Sequence, residues 1–593
     1  MKERLNWLVL AGDFARKGDY RGMRACAREL FALDDHSADG PALMAEAAFY
    51  AGNFDEAEVL AGDALELEPD NLRARMVLAF LAGNKFELNK QIELLRGIVL
   101  DGKKEMAQIA RRQKELRVRL HMGREIPIGE KEQHENVNAR EKIFCRLMRK
   151  VQGVLADALY LAADPEGAAA AIKAACDFAD PDEKADLYSK YLFMLNYRSQ
   201  PPAVNKQTAK VYGTLNEITP YAHKDVKRTP AKRLRIGYIS PDFRLHSVAY
   251  FLAPLLRDFD QKNFAVYCYS VGREDAVTKR FRRFPVKWRD VRARSPRTTA
   301  RFIAEDRIDI LVDLSGHSQN NCLEIMAYRP APVQVTGLGY MNTVGLDTID
   351  YFLADMVTSP EEMPPGFAEK PMRLAKCHLC YDPGAVRAMP APSLKAPSLE
   401  KGYVTFGSFN NFAKVSDELL CLWRAVMDRV RNSRLLIKGK ICSIVDGREI
   451  LRQRLTKLSF DLSRVDFSPY SPDYLEKYSR VDIALDTFPY TGGLTTCEAL
   501  YMGVPVVTLR GRSPGARFGA SILDAADLGE LIAESQMEYV QKIIHLAGNP
   551  DFLLRYHRDL RKHLQKSRLM DAKAYMRDLE QQYRLIWQNF CRS

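Results

Sequence analysis

DTFPYTGGLTTCEALYMGVPVVTL, residues 486 to 509, is the stretch whose reading decides the fold. The apolar run Val481 to Leu485 reads as a buried strand that ends on Asp486. Gly492 and Gly493 make a turn, and Thr495 and Thr496 stand ahead of a helical segment closed by Gly503 and Pro505. Val506 to Leu509 reads as the next strand. A strand, a small-residue loop and a helix N-terminus together make an anion site, because free N–H groups and the positive end of the helix dipole point at one spot. Glu498, near the start of that helix, is placed to reach sugar hydroxyls, as acidic residues do in nucleotide folds. An ordinary strand-to-helix crossover has the same local pattern, so the rest of the chain has to discriminate.

Working outward, the same rhythm runs back to Leu234. Short β-rich runs (LRIGYIS, FAVYCYSV, IDILVDLSG, PVQVTGLG, YVTFGSF, RLLIKG, VDIALD, VPVVTL) alternate with helical ones. This alternation predicts parallel sheets covered by helices. A Pro-rich stretch, Pro383 to Pro397, divides the region into two halves, which predicts two doubly wound domains facing a cleft. In such sheets ligands bind beyond the carboxyl ends of the strands. The charged segment from Phe552 to Phe590 reads as closing helices.

The loops after these strands carry the candidate chemistry. Asp242 and His246 follow LRIGYIS; four residues apart, they would share a face on a first helical turn and form an acid/base pair. His317 follows IDILVDLSG, and Tyr340 with Asn342, Thr343 and Gly345 follows PVQVTGLG. Singly, each is equally a capping Asp, a satisfied His or a turn; together they gather polar groups at one sheet edge. In the second half YVTFGSF leads into Asn410, Asn411 and Lys414, near the same edge as Thr495 and Thr496. A lysine with helix-terminal amides suits a diphosphate leaving group. No DxD-like acidic pair follows a strand in a way that suggests a divalent metal, Asp486 being a lone candidate, so the cationic work falls to Lys414 and the dipole.

The first hundred residues repeat. Gly18 to Gly52 and Tyr20 to Phe54 are both 34 positions apart, the tetratricopeptide period, and a third, weaker unit includes Gly83 and Phe86. Helix pairs of this kind stack into a solenoid whose concave face holds peptide; a plain helical bundle is the alternative. Residues 101–140 are highly charged and read as a long helix or mobile linker, and helical periodicity returns over 139–197 before Pro201-Pro202 breaks it. The domain reading is repeats over 1–100, helical linker and repeat-like helices over 101–200, a first Rossmann-like domain over 201–395, and a second Rossmann-like domain with the closing helices over 396–593.

Composition sets limits. The 593 residues, 47% hydrophobic and 28% charged, describe a soluble globular protein of two to four domains. No run approaches the roughly 18 apolar residues of a membrane span, and the opening LNWLVLAG reads as a helix rather than a leader. Eleven cysteines without a framework suit a reducing, cytoplasmic location. Cys377-His378-Leu379-Cys380 lacks the second pair a structural zinc needs. The net charge of +12 and the basic run Lys279 to Arg301, interleaved with Phe281, Phe284 and Trp288, raise nucleic acid as a partner, but a solvated helix-and-strand face explains them better.

Taken in order behind the repeats, SPDFRLHSVAYF, DILVDLSGHS, YRPAPVQVTGLGY, TFGSFNNFAKVS and DTFPYTGGLTTCEALYMGVP resemble the O-GlcNAc transferase and SPINDLY family of protein glycosyltransferases. The resemblance spans roughly residues 190–545. It implies a GT-B fold, inversion at the anomeric carbon without a metal or other cofactor, and transfer of a sugar from a nucleotide diphosphate to Ser or Thr of acceptor proteins held by the repeats. Homo-oligomerisation is a further possibility, and neither nucleic acid nor a membrane is expected as a partner. It also implies roles: Asp242 in proton removal, His246 at the sugar and phosphate, Asn411 and Lys414 on the diphosphate, Thr495 and Thr496 on phosphate, Glu498 on the ribose. Tyr474 stands where many members carry a histidine near the base. His317 and Tyr340 complete the candidate nucleotide-sugar contacts. Gly337 and Met341 replace a Trp and a Pro of the family pattern, which is expected to loosen the loop near the sugar, and Leu494 replaces a polar residue. UDP-GlcNAc is the expected donor and GDP-fucose, as for SPINDLY, the alternative; a repeat scaffold that no longer reacts is the alternative of another class.

Overall fold

The computed structural model describes residues 2–120, 128–215, 217–363 and 366–592. It divides into two compact units, residues 1–191 with 444–450, and residues 192–443 with 451–593. Among the described residues no helix is long and apolar enough to cross a membrane.

The first unit is built of helix pairs: Lys2–Arg16 with Tyr20–Leu33, Asp39–Tyr50 with Phe54–Leu67, and Leu72–Asn84 with the start of Leu88–Leu120. These are tetratricopeptide-type repeats. Small side chains let the helices cross closely: Ala45, Ala48, Ala57 and Ala61 form one cluster with Val77 and Leu81. Gly18 (φ +70°) and Gly52 (φ +85°) turn the first two pairs through the left-handed region, where glycine has no Cβ penalty. The third turn uses Phe86 (φ +60°), 34 positions after Gly52. A non-glycine residue there costs about 1–2 kcal/mol, and the missing glycine makes the third unit the faint one in the sequence. Gly83 serves differently, as the point where the Gln91 side chain of the next helix packs against the helix Leu72–Asn84. Buried Glu46 makes ion pairs with Arg73 and Lys150, tying the second repeat to the third and to a later helix. Of the stretch read as helix or linker, residues up to 120 and from 128 are helical, and 121–127 lie outside the described residues.

The second unit holds two parallel sheets. The first comprises β1 (Leu234–Ser240), β2 (Phe264–Ser270), β3 (Lys287–Asp290), β4 (Ile310–Asp313), β5 (Val333–Gly337), β6 (Tyr351–Asp355) and β7 (Lys370–Leu374), in the order β3-β2-β1-β4-β5-β6-β7. The second comprises β8 (Val404–Ser408), β9 (Ser433–Lys438), β10 (Val465–Ser468), β11 (Ile483–Leu485), β12 (Val506–Leu509) and β13 (Ile532–Ala533), in the order β10-β9-β8-β11-β12-β13. The apolar runs form these strands because helices cover both faces, so almost every central strand residue is buried. Gly237 pairs with Leu311 at the centre of one sheet and Gly407 with Ala484 at the centre of the other. Each order reverses direction between two central strands, β1/β4 and β8/β11, and at such a switch point a crevice opens beyond the strand ends.

The closing helices are shared between the halves rather than belonging to the second alone. Pro550–Lys566 lies against the helix Leu494–Tyr501, with Arg561 Nε donating to the Tyr501 carbonyl at 2.6 Å. Ala572–Arg592 crosses to the first half: the Tyr583 and Tyr238 hydroxyls meet at 3.3 Å, and Asp578 accepts from the Ala375 amide at 2.8 Å. The apolar face of this last helix is therefore buried on the first sheet. A second tie is Asp355, at the end of β6, whose carboxylate accepts from His378 Nδ1 (2.5 Å) in the first half and Ser521 Oγ (2.8 Å) in the second.

Candidate active site

At the β8/β11 switch point the chain builds a cradle. Asp486 leaves β11 and folds the following loop onto itself: its Oδ1 accepts from the amides of Thr487 (2.8 Å) and Gly492 (2.7 Å), and its Oδ2 from Thr508 Oγ1 (2.6 Å). Gly492 is required there, since a Cβ would lie 2.5 Å from Thr496 Oγ1 and 2.8 Å from Thr495 Oγ1. A Cβ on Gly493 would meet nothing within 4 Å, so that side of the loop is open to a ligand. The helix Leu494–Tyr501 begins at once, and among the described residues the amides of Leu494, Thr495 and Thr496 have no acceptor. Thr495 Oγ1 donates to Asn410 Oδ1 at 2.8 Å and Thr496 Oγ1 to the Gly492 carbonyl at 3.1 Å.

Lys414 reaches the same cradle from the loop after β8. Asn411 starts its short 3-10 turn by accepting from the Ala413 amide at 3.2 Å. Lys414 Nζ donates to the Thr491 carbonyl at 3.1 Å and lies 3.6 Å from the centre of the Tyr490 ring. Burial lowers the ammonium to about 8, and Asp486 opposes that fall. Burial raises the Asp486 carboxyl, with its hydrogen bonds and Lys414 pulling it back. Lys414, Asn410, Thr495 and three unbonded amides thus converge, which is the chemistry an oxyanion-rich group requires.

One turn along the helix, Glu498 is buried and accepts from the Tyr474 hydroxyl. Burial pushes its carboxyl up to about 7, against Tyr474 and Arg387. Three residues that sequence reasoning missed surround this pair. The Arg387 guanidinium lies 5.8 Å from the Tyr474 ring centre. Tyr250, on the helix that follows His246 in the first half, approaches Arg387, Tyr474 and Glu498. Tyr381 stacks on Tyr250 (6.3 Å, 18°), and its buried hydroxyl has no partner among the described residues. Arg387 sits in the Pro-rich divide, where nothing in the local pattern distinguishes it from a linker residue. These contacts put the first half's segment after β1 opposite the second half's helix Leu494–Tyr501.

At the β1/β4 switch point Asp242 and His246 meet across a bend, not on a helical turn, because the helix starts only at Ala249. His246 Nδ1 is 3.4 Å from Asp242 Oδ2, and Arg244 is 3.5 Å from Asp242 Oδ1. The side chain of Asp242 is 5% exposed and that of His246 36% exposed, so the imidazole is the accessible member. Burial raises Asp242, opposed by His246 and Arg244, and lowers His246, opposed by Asp242. The neutral imidazole this favours is the form that accepts a proton.

The structure does not turn His317 and Tyr340 toward the crevice. His317 is buried, its Nε2 2.9 Å from the Val344 carbonyl and its ring edge-on to Tyr212 (4.7 Å) and Tyr340 (5.4 Å); burial lowers it to about 3. The Tyr340 hydroxyl receives Asn196 Nδ2 at 3.3 Å and points to the Leu192 carbonyl. Both support the loop that follows β5 from beneath. That loop is not loosened by Gly337 and Met341. Buried Glu369 accepts from Thr343 Oγ1 (2.7 Å) and from the amides of Val344 (3.0 Å) and Gly345 (3.1 Å), and Met341 packs so closely on the second half that a Cβ on Gly515 would be 2.8 Å from its Cγ.

Elsewhere, ligand atoms of Asp355, Cys377 and His378 lie within 4.8 Å of one another, but the carboxylate is already engaged by His378, Ser521 and the Val357 and Thr358 amides. Part of the basic run is ion-paired, Arg289 with Asp306 at 2.9 Å and Arg292 with Asp290 at 2.5 Å.

The model of Glycosyl transferase family 41 matches residues 210–389 and 385–579. Two plant proteins named Probable UDP-N-acetylglucosamine--peptide N-acetylglucosaminyltransferase SPINDLY, from Eustoma exaltatum subsp. russellianum and Arabidopsis thaliana, are each 40% identical over 380 residues, 63% of this chain and 41% of theirs. The chain therefore spans about two fifths of the length of these curated relatives. A solved mutant of Thermobaculum terrenum O-GlcNAc transferase superimposes with a TM-score of 0.73 at 28% identity, over 94% of this chain and 98% of that one. Helical repeats followed by two facing Rossmann-like sheets are thus common to both, a GT-B arrangement, and the chain belongs to glycosyl transferase family 41.

Proposed function

We propose that this chain is a protein O-glycosyltransferase that inverts the anomeric centre and works without a metal. The observation that carries the reading is the convergence of Lys414 with the unbonded amides of the helix Leu494–Tyr501. A sugar nucleotide lies with its diphosphate in that cradle and its nucleoside toward Glu498 and Tyr474. The acceptor Ser or Thr hydroxyl attacks the anomeric carbon from the side of the β1 loop. Its proton passes to His246, the exposed member of the pair, with Asp242 behind the imidazole to hold its ring and stabilise the charge it gains. As the new glycosidic bond forms, the bond from the sugar to the diphosphate breaks, and the leaving group keeps that electron pair. Lys414 and the amides stabilise the charge.

The donor we favour is UDP-GlcNAc, the sugar nucleotide in the names of the SPINDLY relatives. GDP-fucose is the second reading, on the SPINDLY-like wording of the chain's own motifs. The repeats present acceptor polypeptides, in a cytoplasmic setting that suits eleven cysteines without a disulfide framework in their spacing. The test is transfer of label from UDP-GlcNAc or GDP-fucose to proteins of a cell extract, with the parent chain and Lys414→Ala side by side. Incorporation by the parent alone, from one donor, supports the proposal. Equal, zero incorporation with both donors leaves a nucleotide-binding scaffold.

A further inference from the structure

Lys414 does not hang free in the cradle; it is seated. Its Nζ is 3.6 Å from the centre of the Tyr490 ring and 3.1 Å from the Thr491 carbonyl. A second ring backs the first: Tyr197 meets Tyr490 edge-on at 5.3 Å and 61°. Tyr197 is itself packed on Phe193, which stacks on Tyr340 (6.4 Å, 30°) beneath the loop after β5. Tyr490 thus has an ammonium on its face and a packed aromatic at its side. Among the described residues Asp486 is the charged side chain that acts on Lys414, and its carboxylate is occupied by the Thr487 and Gly492 amides and the Thr508 hydroxyl.

We propose that Tyr490 is a positioning residue for the transfer: its ring face, braced by Tyr197, fixes the Lys414 ammonium where the departing diphosphate develops charge. The ring quadrupole attracts the cation without neutralising it. A carboxylate in the same place would hold the lysine more strongly but would repel the diphosphate. The ring therefore keeps both the position and the full positive charge available to the leaving group. A positioning device of this kind acts on the chemical step more than on ground-state binding.

This inference rests on the proposed function for its catalytic part but not for its geometry, and the experiment reads the two separately. The full chain is labelled with lysine carrying 13C at the ε position, and the Lys414 signal is assigned by its loss in Lys414→Arg. In the parent that signal is displaced upfield by the ring above it. Tyr490→Phe keeps the displacement, and Tyr490→Leu abolishes it. In the transfer assay Tyr490→Leu lowers kcat by on the order of tenfold, with a much smaller change in donor KM, and moves the alkaline limb of the pH profile to lower pH; Tyr490→Phe restores both. An undisplaced Lys414 signal in the parent, or one unchanged in Tyr490→Leu, overturns the inference, as does parental kcat in Tyr490→Leu. Absence of transfer in the parent itself rejects the proposed function, while the NMR result still decides whether Tyr490 seats Lys414.

Discussion

Raising the pH through 8 should strip this protein of nucleotide affinity in a way that one substitution abolishes. Lys414 is held down to about 8 by burial, with Asp486 opposing. A bound diphosphate adds negative charge beside the ammonium, so the pKa in the complex is higher than in the free protein. The sign follows. Below about 8 both states carry the proton and affinity is independent of this group. Above it, binding must take up a proton, and affinity falls by about tenfold per pH unit until the pKa of the complex is reached. The full contribution is that of a charge-assisted hydrogen bond, about 1.5–3 kcal/mol, or roughly 10- to 150-fold in Kd. The assay is calorimetric titration with UDP and with GDP at pH 7, 8 and 9, in two buffers of different ionisation enthalpy. The parent should show proton uptake approaching one per nucleotide at pH 9 and little at pH 7. Lys414→Ala should bind more weakly at pH 7 and lose the slope. A parent Kd that is flat to pH 9, or a slope that survives in Lys414→Ala, refutes the reasoning.

Further expectations concern other parts of the molecule. Gly492→Ala should destabilise the fold by about 1–3 kcal/mol, because its Cβ collides with two threonine hydroxyls; Gly493→Ala should change stability by less than about 1 kcal/mol yet weaken nucleotide binding, since its Cβ enters the open side of the cradle. Melting curves with and without UDP or GDP compare the two. Glu46→Gln should cost about 3–5 kcal/mol by leaving Lys150 and Arg73 without their buried partner, measured by urea unfolding of the repeat unit's transition. Burial would raise Glu46, but Lys150 and Arg73 hold it at about 2, below its unfolded value of 4.5. Its contribution should therefore be complete above pH 4.5 and disappear as pH falls toward 2, so the parent and Glu46→Gln should converge in stability as the pH is lowered. Arg387→Ala should weaken nucleotide binding, seen in the same calorimetry, without altering the pH slope that belongs to Lys414.

The parts of this protein that a sequence exposes most readily are those with a short period or a required backbone shape. Short apolar runs alternating with helical ones marked β1, β2, β4, β5, β8, β9, β11 and β12, and the loops that follow these strands pointed to Asp242, to Lys414 and to Thr495 and Glu498 at the start of the helix after β11. β3 escaped notice because KWRD is a charged edge strand, and β13 because it is two residues long. β6 is only five residues long, although four of the five are buried. Side-chain direction was less accessible. His317 and Tyr340 lie in loops at the right edge, but whether they face the crevice or the packing beneath it depends on Tyr212, Asn196 and Val344, which are distant from one another in sequence. The same limit explains Arg387, Tyr250 and Tyr381, whose meeting with Glu498 and Tyr474 arises only when the two halves close on each other. The loop carrying Gly337 and Met341 shows the converse: local wording suggested looseness, and a distant glutamate, Glu369, supplies the hydrogen bonds that hold it.

The central claim is that the pyrophosphate of a sugar nucleotide sits between Lys414 and the start of the helix Leu494–Tyr501. A crystal structure of the full chain with a bound nucleoside diphosphate tests it most directly. The account predicts phosphate oxygens within hydrogen-bond distance of Lys414 Nζ and of the Thr495 and Thr496 amides, with the ribose beside Glu498. A nucleotide bound with its phosphates away from Lys414 and those amides would contradict it.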